Sequence, residues 1–220
     1  EERVRTAMRN VGFHLSARKI TVNLSPANVR KEGTACDLPV AIAVLAAYGI
    51  VMPSGLKQTG FLGELGLDGK IKPVRGVLSM VLAMAEKGLE RCFLPEENVA
   101  EGMAADCMEI VKIRNLQEVV ALLNEPDRIC FERASDLSGV QTAYGVDFCE
   151  VNGQKLMRRA TEVAVAGGHN LLYIGPPGSG KSMMARRIPT IMPELSREEQ
   201  LEVSKVYSIC GMLPEGHALV

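Results

Sequence analysis

The sequence contains no tryptophan and few other aromatic residues. Its 220 residues include four tyrosines and five phenylalanines, which argues against a row of aromatic side chains for stacking single-stranded nucleic acid. Charge of one sign is also lacking, since 25 basic residues stand against 26 acidic ones and the net charge is −1. This balance excludes a polybasic tail and an acidic solvating segment, so any contact with DNA requires a local basic surface.

Long apolar runs and targeting signals are missing as well. The longest near-apolar run, from Leu38 to Val51, is too short to cross about 30 Å of hydrocarbon. The first residues, Glu-Glu-Arg-Val-Arg, are charged and lack the apolar core of a signal peptide. We therefore expect a soluble, cytoplasmic protein with no membrane partner. Because the chain starts without methionine and stops without a closing signal, we also expect a piece of a longer protein.

The cysteines form no pair with the spacing of metal ligands, and no histidine stands at zinc-finger spacing from them. A chain that is 47% hydrophobic can bury a core without disulfides, which are typical of small secreted domains. We therefore predict small, buried apolar thiols in a reducing compartment. The residues are Cys36, Cys92, Cys107, Cys130, Cys149 and Cys210.

The first 124 residues alternate between helical and strand periodicities. Apolar residues at helical spacing predict helices over 1–11, 38–48, 76–87, 95–105 and 115–123. Alternating or short apolar runs predict strands over 20–24, 91–94 and 108–113. Asp68-Gly69 predicts a β-hairpin turn, because glycine adopts the positive φ that such a turn needs. Residues 1–124 are therefore predicted to form an α+β or α/β domain with mixed sheet pairing.

A second unit is predicted after a connecting segment. Residues 125–146 contain Pro126, Gly139 and Gly145 and no sustained period, which indicates a linker. Residues 147–220 then begin with a helix over 153–167, an apolar strand over 170–174, a Gly/Pro loop and a helix from Gly180. The order strand, glycine loop, helix is typical of the start of a parallel α/β sheet.

One motif carries recognisable chemistry. The stretch Gly175-Pro-Pro-Gly-Ser-Gly-Lys-Ser182 fits the pattern G-x-x-x-x-G-K-[ST] in full. The glycines let successive backbone N–H groups face phosphate oxygens. Lys181 offers a charge to the β- and γ-phosphates, and the Ser182 hydroxyl is placed to ligate Mg²⁺. We predict a site for ATP and Mg²⁺ formed by Gly175, Pro176, Pro177, Gly178, Ser179, Gly180, Lys181 and Ser182.

Phosphate binding alone does not hydrolyse ATP. A P-loop ATPase also needs an acidic residue at the end of a neighbouring strand and usually an arginine from elsewhere. No apolar strand ending in Asp-Glu follows Ser182 in this sequence. Arg186 and Arg187 follow the loop on its own helix, which favours solvated or sheet-edge positions over a role as arginine fingers. We therefore predict no catalytic residue within this chain and negligible ATP turnover by the chain alone.

Several stretches resemble one known family. They are Asp147-Phe-x-x-Val-x-Gly-Gln154, the Ala-Gly-Gly-His-Asn-Leu-Leu run at 166–172, the loop 175–182 and Arg187-Ile-Pro-Thr-Ile-Met-Pro. These resemble the start of a magnesium-chelatase-like AAA+ module. The whole chain resembles the ComM (YifB-like) family, in which that module follows a domain of the ribosomal protein S5 domain 2 type.

The resemblance implies a fold and a function. The fold is an S5 domain 2-like α+β domain followed by the start of a P-loop AAA+ α/β module. The function is that of a homohexameric ring that hydrolyses ATP with Mg²⁺ and moves on branched DNA during recombination in transformation. The family pattern places the first strands of the front domain outside this chain, together with the acidic strand, sensors and arginine finger of the ATPase.

The front domain also resembles the peptidase domain of Lon-type proteases. The segment that carries the nucleophilic serine in Lon proteases matches Lys31-Glu-Gly-Thr-Ala-Cys36 of this chain, and the serine position falls on Ala35. The segment that precedes the general-base lysine in Lon proteases matches Gly63–Gly76. The lysine position then falls on Leu78, two residues after this segment. A methyl group cannot attack a carbonyl and a leucine cannot take a proton. Cys36 has no obvious histidine partner, so we predict a front domain without peptidase activity and assign Gly33 and Asp37 to turn and helix-cap roles.

The remaining candidates are weaker. Arg18-Lys19 and Arg30-Lys31 form either a basic edge that meets DNA phosphates or, as the favoured reading, a solvated face. The histidines have no metal-ligand spacing, and His169 is read as a structural donor or an exposed side chain.

Two other functions stay open. The first is a magnesium-chelatase subunit that drives metal insertion into a porphyrin, which the Lon-like front domain disfavours. The second is a non-enzymatic, nucleotide-gated interaction scaffold.

Overall fold

The computed structural model describes residues 2–16, 19–24, 33–132, 145–213 and 219. Contacts divide the chain into two compact units. The first comprises the described parts of Glu1–Val140 and Arg197–Val220, and the second those of Gln141–Ser196. The predicted combination of α+β and α/β architecture is confirmed, since helices alternate with the strands of a parallel sheet.

The described elements follow the predicted order over most of the first unit. The helices are α1 (Glu2–Asn10), α2 (Asp37–Ala47), α3 (Val77–Glu86), α4 (Val99–Ala104), α5 (Leu116–Asn124), α6 (Lys155–Ala166), α7 (Lys181–Ala185) and α8 (Arg197–Cys210). The strands are β1 (Thr59–Phe61), β2 (Glu64–Leu65), β3 (Ile71–Lys72), β4 (Arg91–Pro95) and β5 (Glu109–Ile113).

A three-stranded parallel sheet in the order β1–β4–β5 forms the centre of the first unit. Successive residues of β4 belong to different apolar clusters, because side chains alternate between the two faces of a strand. Phe93 lies in the cluster that contains α1, α2 and α5 and stacks on Phe61 with ring centres 5.2 Å apart. Cys92 and Leu94 lie in the cluster that contains α3 and α4. Both faces of the central strand are therefore buried, as in other parallel sheets.

The predicted hairpin is confirmed as a separate two-stranded unit. β2 and β3 pair in antiparallel register, with Leu65 opposite Ile71. The N–H of Gly66 donates to the carbonyl of Lys70 at 2.8 Å, and Gly69 has a φ of +81°. Glycine fits this position because a left-handed backbone is strained for residues with a Cβ atom.

Helix α8 belongs to the first unit and packs on α3. The Ser208 carbonyl accepts the N–H of Gly76 at 3.2 Å. Nη2 of Arg197 donates to the carbonyl of Ala104 at 2.6 Å. The predicted boundary placed α8 with the ATPase module at 147–220, and that boundary stays a prediction. In the structure the contacts of α8 lie with the first unit.

Two predicted strands are wrong. No strand is assigned in the described residues 19–24 or 170–174. In the second segment, no backbone hydrogen bond to another described residue is formed, and the side chains of Leu172 and Ile174 are 79% and 89% exposed. A strand requires a neighbour to complete its ladder, and the described part of the second unit offers none to this apolar run.

The first residues of the predicted linker 125–146, whose bounds stay a prediction, contact the first unit. A 3-10 turn spans Pro126–Arg128, and the N–H of Glu132 then donates to the carbonyl of Ile110 at 2.9 Å. Lys112 pairs with Glu132 at 3.0 Å, and the Arg91 guanidinium lies 5.8 Å from the centre of the Phe131 ring. Residues up to Glu132 therefore lie along the sheet rather than in a free connection.

The second unit has a small core of its own. Phe148, Val151 and Met184 are buried there, and Tyr173 and Ile191 pack partly against them. No helix among the residues that the structure describes has the length and apolar character needed to cross a membrane.

Candidate nucleotide-binding site

The loop 175–182 connects the extended segment 170–174 to α7. Gly178 and Gly180 have φ values of +80° and +81°, which turn the chain tightly just before the helix. Gly180 caps α7, and its carbonyl accepts the N–H of Met184 at 2.9 Å. Helix α7 is only five residues long, so its dipole contribution is smaller than that of the longer helix expected from the sequence.

The ammonium group of Lys181 lies inside the loop. Its Nζ donates to the carbonyls of Gly175 and Pro176 at 2.9 and 2.7 Å and to Oγ of Ser179 at 3.1 Å. Three oxygens of the loop thus surround one positive charge. Ser182 follows at the surface with its hydroxyl exposed.

Backbone donors of the loop are left unbonded. The N–H groups of Gly178 and Gly180 have no acceptor among the described residues, whereas that of Ser179 donates to the Pro176 carbonyl at 3.4 Å. Gln154, with a φ of +49°, contributes Nε2 to the Ser179 carbonyl at 3.5 Å. Free N–H groups beside an ammonium group are the chemical requirements for holding phosphate oxygens.

Arg187 fastens the start of the second unit to the residues after the loop. Its Nη2 lies 2.7 Å from Oε2 of Glu150, and its Nε donates to the carbonyl of Asp147 at 3.0 Å. The hydrogen bond from this guanidinium lowers the pKa of the Glu150 carboxyl below its ordinary value. Arg187 is 16% exposed and paired, so it is a structural clamp rather than the solvated or sheet-edge residue that was expected. Arg186 is exposed, as predicted.

Three structural contributors were missed by sequence reasoning. Thr161 is buried on α6, and its hydroxyl lies 2.5 Å from the Tyr173 hydroxyl, which ties the segment before the loop to the helix. Glu150 and Gln154 belong to the stretch Asp147–Gln154, which carried the family resemblance. That resemblance was the sequence signal that could have identified them.

The two positions that the resemblance matches to the Lon dyad, Ala35 and Leu78, form contacts that support the fold. Leu78 is completely buried, and its N–H donates to Oε1 of Glu101 at 2.9 Å. Ala35 is half-buried, and its carbonyl accepts the N–H of Gly63 at 3.3 Å. Neither side chain carries a group that can attack or take a proton.

Polar residues beside Ala35 are engaged in structural contacts. The Thr34 hydroxyl donates to the Glu64 carboxylate, and the Arg3 guanidinium pairs with Asp37. The predicted cap role of Asp37 is wrong, because Cys36 occupies the N-cap position and Asp37 is the first residue of the helix. The turn role of Gly33 is confirmed by its φ of +91°.

The prediction that the cysteines are buried is wrong except for Cys92. Cys92 is buried, and desolvation raises the pKa of its thiol to about 12. The other five cysteines are exposed and free. They are Cys36, Cys107, Cys130, Cys149 and Cys210.

The basic pairs lie mostly outside the described residues. Arg18, Arg30 and Lys31 are not described, and Lys19 is exposed. His169 is exposed, as expected, and His217 lies outside the described part. No group of three or more His, Cys, Asp or Glu side chains that could hold a metal ion occurs among the described residues.

Two family models match the chain. Residues 1–98 match "Subunit ChlI of Mg-chelatase", and residues 147–220 match "Magnesium chelatase, subunit ChlI". The second match contains the whole loop 175–182.

Individual relatives match along almost the entire chain. The competence protein ComM of Haemophilus influenzae is 38% identical over 218 residues, which cover 95% of this chain and 42% of the relative. YifB of Escherichia coli is 38% identical over 208 residues, which cover 94% of this chain and 40% of the relative. The chain thus spans about two fifths of the length of these relatives.

A weaker similarity extends to the Lon proteases. Lon protease 2 of Bacillus subtilis is 28% identical over 129 residues, or 57% of this chain and 23% of the relative. The ChlI models and the ComM and YifB matches agree with the resemblance carried by the loop and its flanking motifs. The chain belongs to the magnesium-chelatase ChlI-like family of ComM and YifB.

Proposed function

We propose that the loop 175–182 binds ATP with Mg²⁺. The single observation that carries the proposal is the position of Lys181, whose ammonium lies among loop oxygens beside the unbonded N–H groups of Gly178 and Gly180. Phosphate oxygens offer the ammonium stronger, charge-assisted hydrogen bonds than neutral carbonyls do. Ser182, the residue after Lys181, supplies the hydroxyl for Mg²⁺. All eight residues from Gly175 to Ser182 form this site.

The longer protein is proposed to be a AAA+ ATPase. The chain covers about two fifths of ComM and YifB, so the residues that activate water are expected in the remaining part of such a protein. We propose a homohexameric ring that acts as a motor on DNA. The Haemophilus relative is a competence protein, which supports a role in recombination during transformation.

Nucleotide binding by the 220-residue chain is the direct test. Titration with a fluorescent ATP analogue in the presence of Mg²⁺ should give saturable binding, and Lys181→Ala should weaken it at least about tenfold, or about 1.4 kcal/mol. In the full-length protein the same change should lower ATP turnover at least about tenfold, because one charge on the transferring phosphate contributes a few kcal/mol. The chain alone should show negligible turnover.

Lys155→Ala is the matched control for that test. Lys155 is an exposed lysine in the second unit, at the first residue of α6, and it has no ion pair among the described residues. The Lys155→Ala substitution removes the same charge as Lys181→Ala and lies outside the loop 175–182. Equal affinities of Lys181→Ala and Lys155→Ala would show that the loop does not hold the nucleotide phosphates.

A metal-insertion function is the second candidate, because both matching models are named for a magnesium-chelatase subunit. It would use the same nucleotide site to drive insertion into a porphyrin by partner subunits. Stimulation of ATP turnover in the full-length protein separates the two candidates. A motor on DNA should respond to forked DNA, whereas a chelatase subunit should respond to porphyrin and its partner subunits.

A further inference from the structure

A cavity of about 240 Å³ lies beside α1 and is lined by two arginines, one histidine and two apolar side chains, with no acidic residue among them. Its lining residues are Arg5, Arg9, Phe13, His14 and Leu15. Local structure explains why they meet. Helix α1 buries Val4, Ala7 and Met8, so residues 5 and 9, one turn apart, share its outward face.

The chain then folds back over the end of α1. The N–H of Phe13 donates to the carbonyl of Met8 at 3.0 Å, and the N–H of Gly12 donates to that of Arg9 at 3.1 Å. Together with a φ of +92° at Gly12, these bonds form a Schellman motif. Phe13 packs on the core that contains Met8, so the return of the chain is fixed. His14 and Leu15 are thereby placed against the arginines.

The charges of this cavity are not neutralised within the described part of the chain. Arg3 of the same helix pairs with Asp37, but Arg5, Arg9 and His14 have no ion pair or side-chain hydrogen bond there. Glu2, one turn before Arg5, forms no ion pair there either. Two unpaired guanidinium groups therefore point to a ligand that carries several negative charges.

We propose that this surface, the Arg5–Arg9 groove, binds the phosphate backbone of nucleic acid. The inference rests on the proposed DNA motor and names a contact for it. Guanidinium groups match phosphate oxygens in a bidentate manner, and two of them one turn apart on a helix present successive forks along one direction. The half-buried ring of Phe13 adds an apolar edge at which an unpaired base can rest. A strand of phosphates fits an open groove of this kind better than a single small anion does.

The test is the salt dependence of binding to labelled oligonucleotides, measured by fluorescence anisotropy on the 220-residue chain. Each phosphate contact contributes about 0.7 to the slope of log K against log salt for single strands and about 0.9 for duplex DNA. The double variant Arg5→Gln/Arg9→Gln should therefore flatten the slope by about 1.4 units on single strands. Lys57→Gln/Lys87→Gln is the matched control, because it removes two exposed, unpaired cations of the same unit that do not line the groove. It should leave the slope within about half a unit of the original.

A second variant disturbs the groove without changing charge. Gly12→Ala places a Cβ at positive φ with no atom within 4 Å, so its effect is confined to the backbone at the turn. It should weaken binding severalfold while leaving the slope nearly unchanged.

Three results would overturn the assignment. They are the absence of oligonucleotide binding by the unaltered chain, equal slopes for the arginine and lysine variants, and equally tight, Arg5-dependent binding of labelled polyglutamate, which would indicate an acidic protein as partner. Failure of the proposed motor would look different, because the chain would still bind oligonucleotides through Arg5 and Arg9 while forked DNA would leave ATP turnover of the full-length protein unchanged.

Discussion

Cys92 differs from the other cysteines through burial alone. It lies on the central strand β4 with no exposed surface, and desolvation raises the pKa of its thiol to about 12. A strand position between two apolar clusters accounts for this, because a thiolate there would lose its hydration. Sequence spacing could not distinguish this cysteine from the five that reach solvent.

Thiol reactivity should reproduce that difference. In the native chain at neutral pH, a small aromatic disulfide reagent should modify five cysteines and spare Cys92 until the protein unfolds. Cys107 and Cys149 should react more slowly than the remaining exposed thiols, because partial desolvation at Cys107 and the hydrogen bond with Asp147 at Cys149 raise their pKa values. Mass spectrometry of partially labelled protein measures the order. Early labelling of Cys92 would contradict the buried position of β4.

At the scale of the element, a buried carboxylate contributes a side-chain contact between α8 and the first unit. Glu101 on α4 accepts hydrogen bonds from the Leu78 N–H, the Ser208 hydroxyl and, at 3.3 Å, Nδ2 of Asn98. It therefore supplies the side-chain acceptor at the start of α3 that the capping residue Gly76 lacks. A buried carboxylate is tolerated because all three donors satisfy it.

Removal of the Ser208 hydroxyl should destabilise this contact. Ser208→Ala leaves the Glu101 carboxylate with one donor fewer, which should lower the free energy of unfolding by about 1–3 kcal/mol. Urea denaturation measures the loss, and hydrogen exchange should localise it to α8. Cys210→Ala, a change of similar size at an exposed position of the same helix, should lower stability by less than about 0.5 kcal/mol. Equal effects of the two substitutions would contradict the docking of α8 through Glu101.

At the scale of the whole molecule, a front unit with similarity to Lon proteases is joined in one chain to the loop 175–182, the proposed nucleotide site. The Lon similarity covers about half of the chain, yet Ala35 and Leu78 stand at the two dyad positions. Leu78 instead belongs to the apolar core that α3 covers. Near Ala35, Thr34 donates a hydrogen bond to Glu64 of the hairpin, and Asp37 pairs with Arg3 of α1. The similarity to Lon proteases therefore includes two positions whose side chains cannot attack a carbonyl or take a proton.

The chain should therefore fail to cleave unfolded protein or small acyl substrates, with or without ATP. Fluorogenic peptide and labelled casein assays measure this directly. Cys36 is the neighbouring thiol of Ala35, and both Cys36→Ser and the control Cys130→Ser should behave like the unaltered chain. Cleavage that disappears in Cys36→Ser and persists in Cys130→Ser would establish a thiol peptidase instead.

The amino-acid sequence by itself determined the helices of the first 124 residues, the hairpin and the loop motif. These features depend on local physics: apolar spacing along α2 and α5, the positive φ of Gly69, and the residue types that a phosphate loop requires. The absence of a peptidase dyad was also a matter of residue type at Ala35 and Leu78.

Tertiary structure decided everything that depends on a partner distant in the sequence. The apolar run 170–174 reads as a strand, but strand pairing needs a neighbour that periodicity cannot supply. The same holds for the clamp between Arg187 and Glu150 and for Glu101, whose buried carboxylate accepts a hydrogen bond from Ser208 across 107 residues of chain. Sequence shows which groups can bond or ionise, whereas burial and partnership, which set their energies, arise only when the chain has folded.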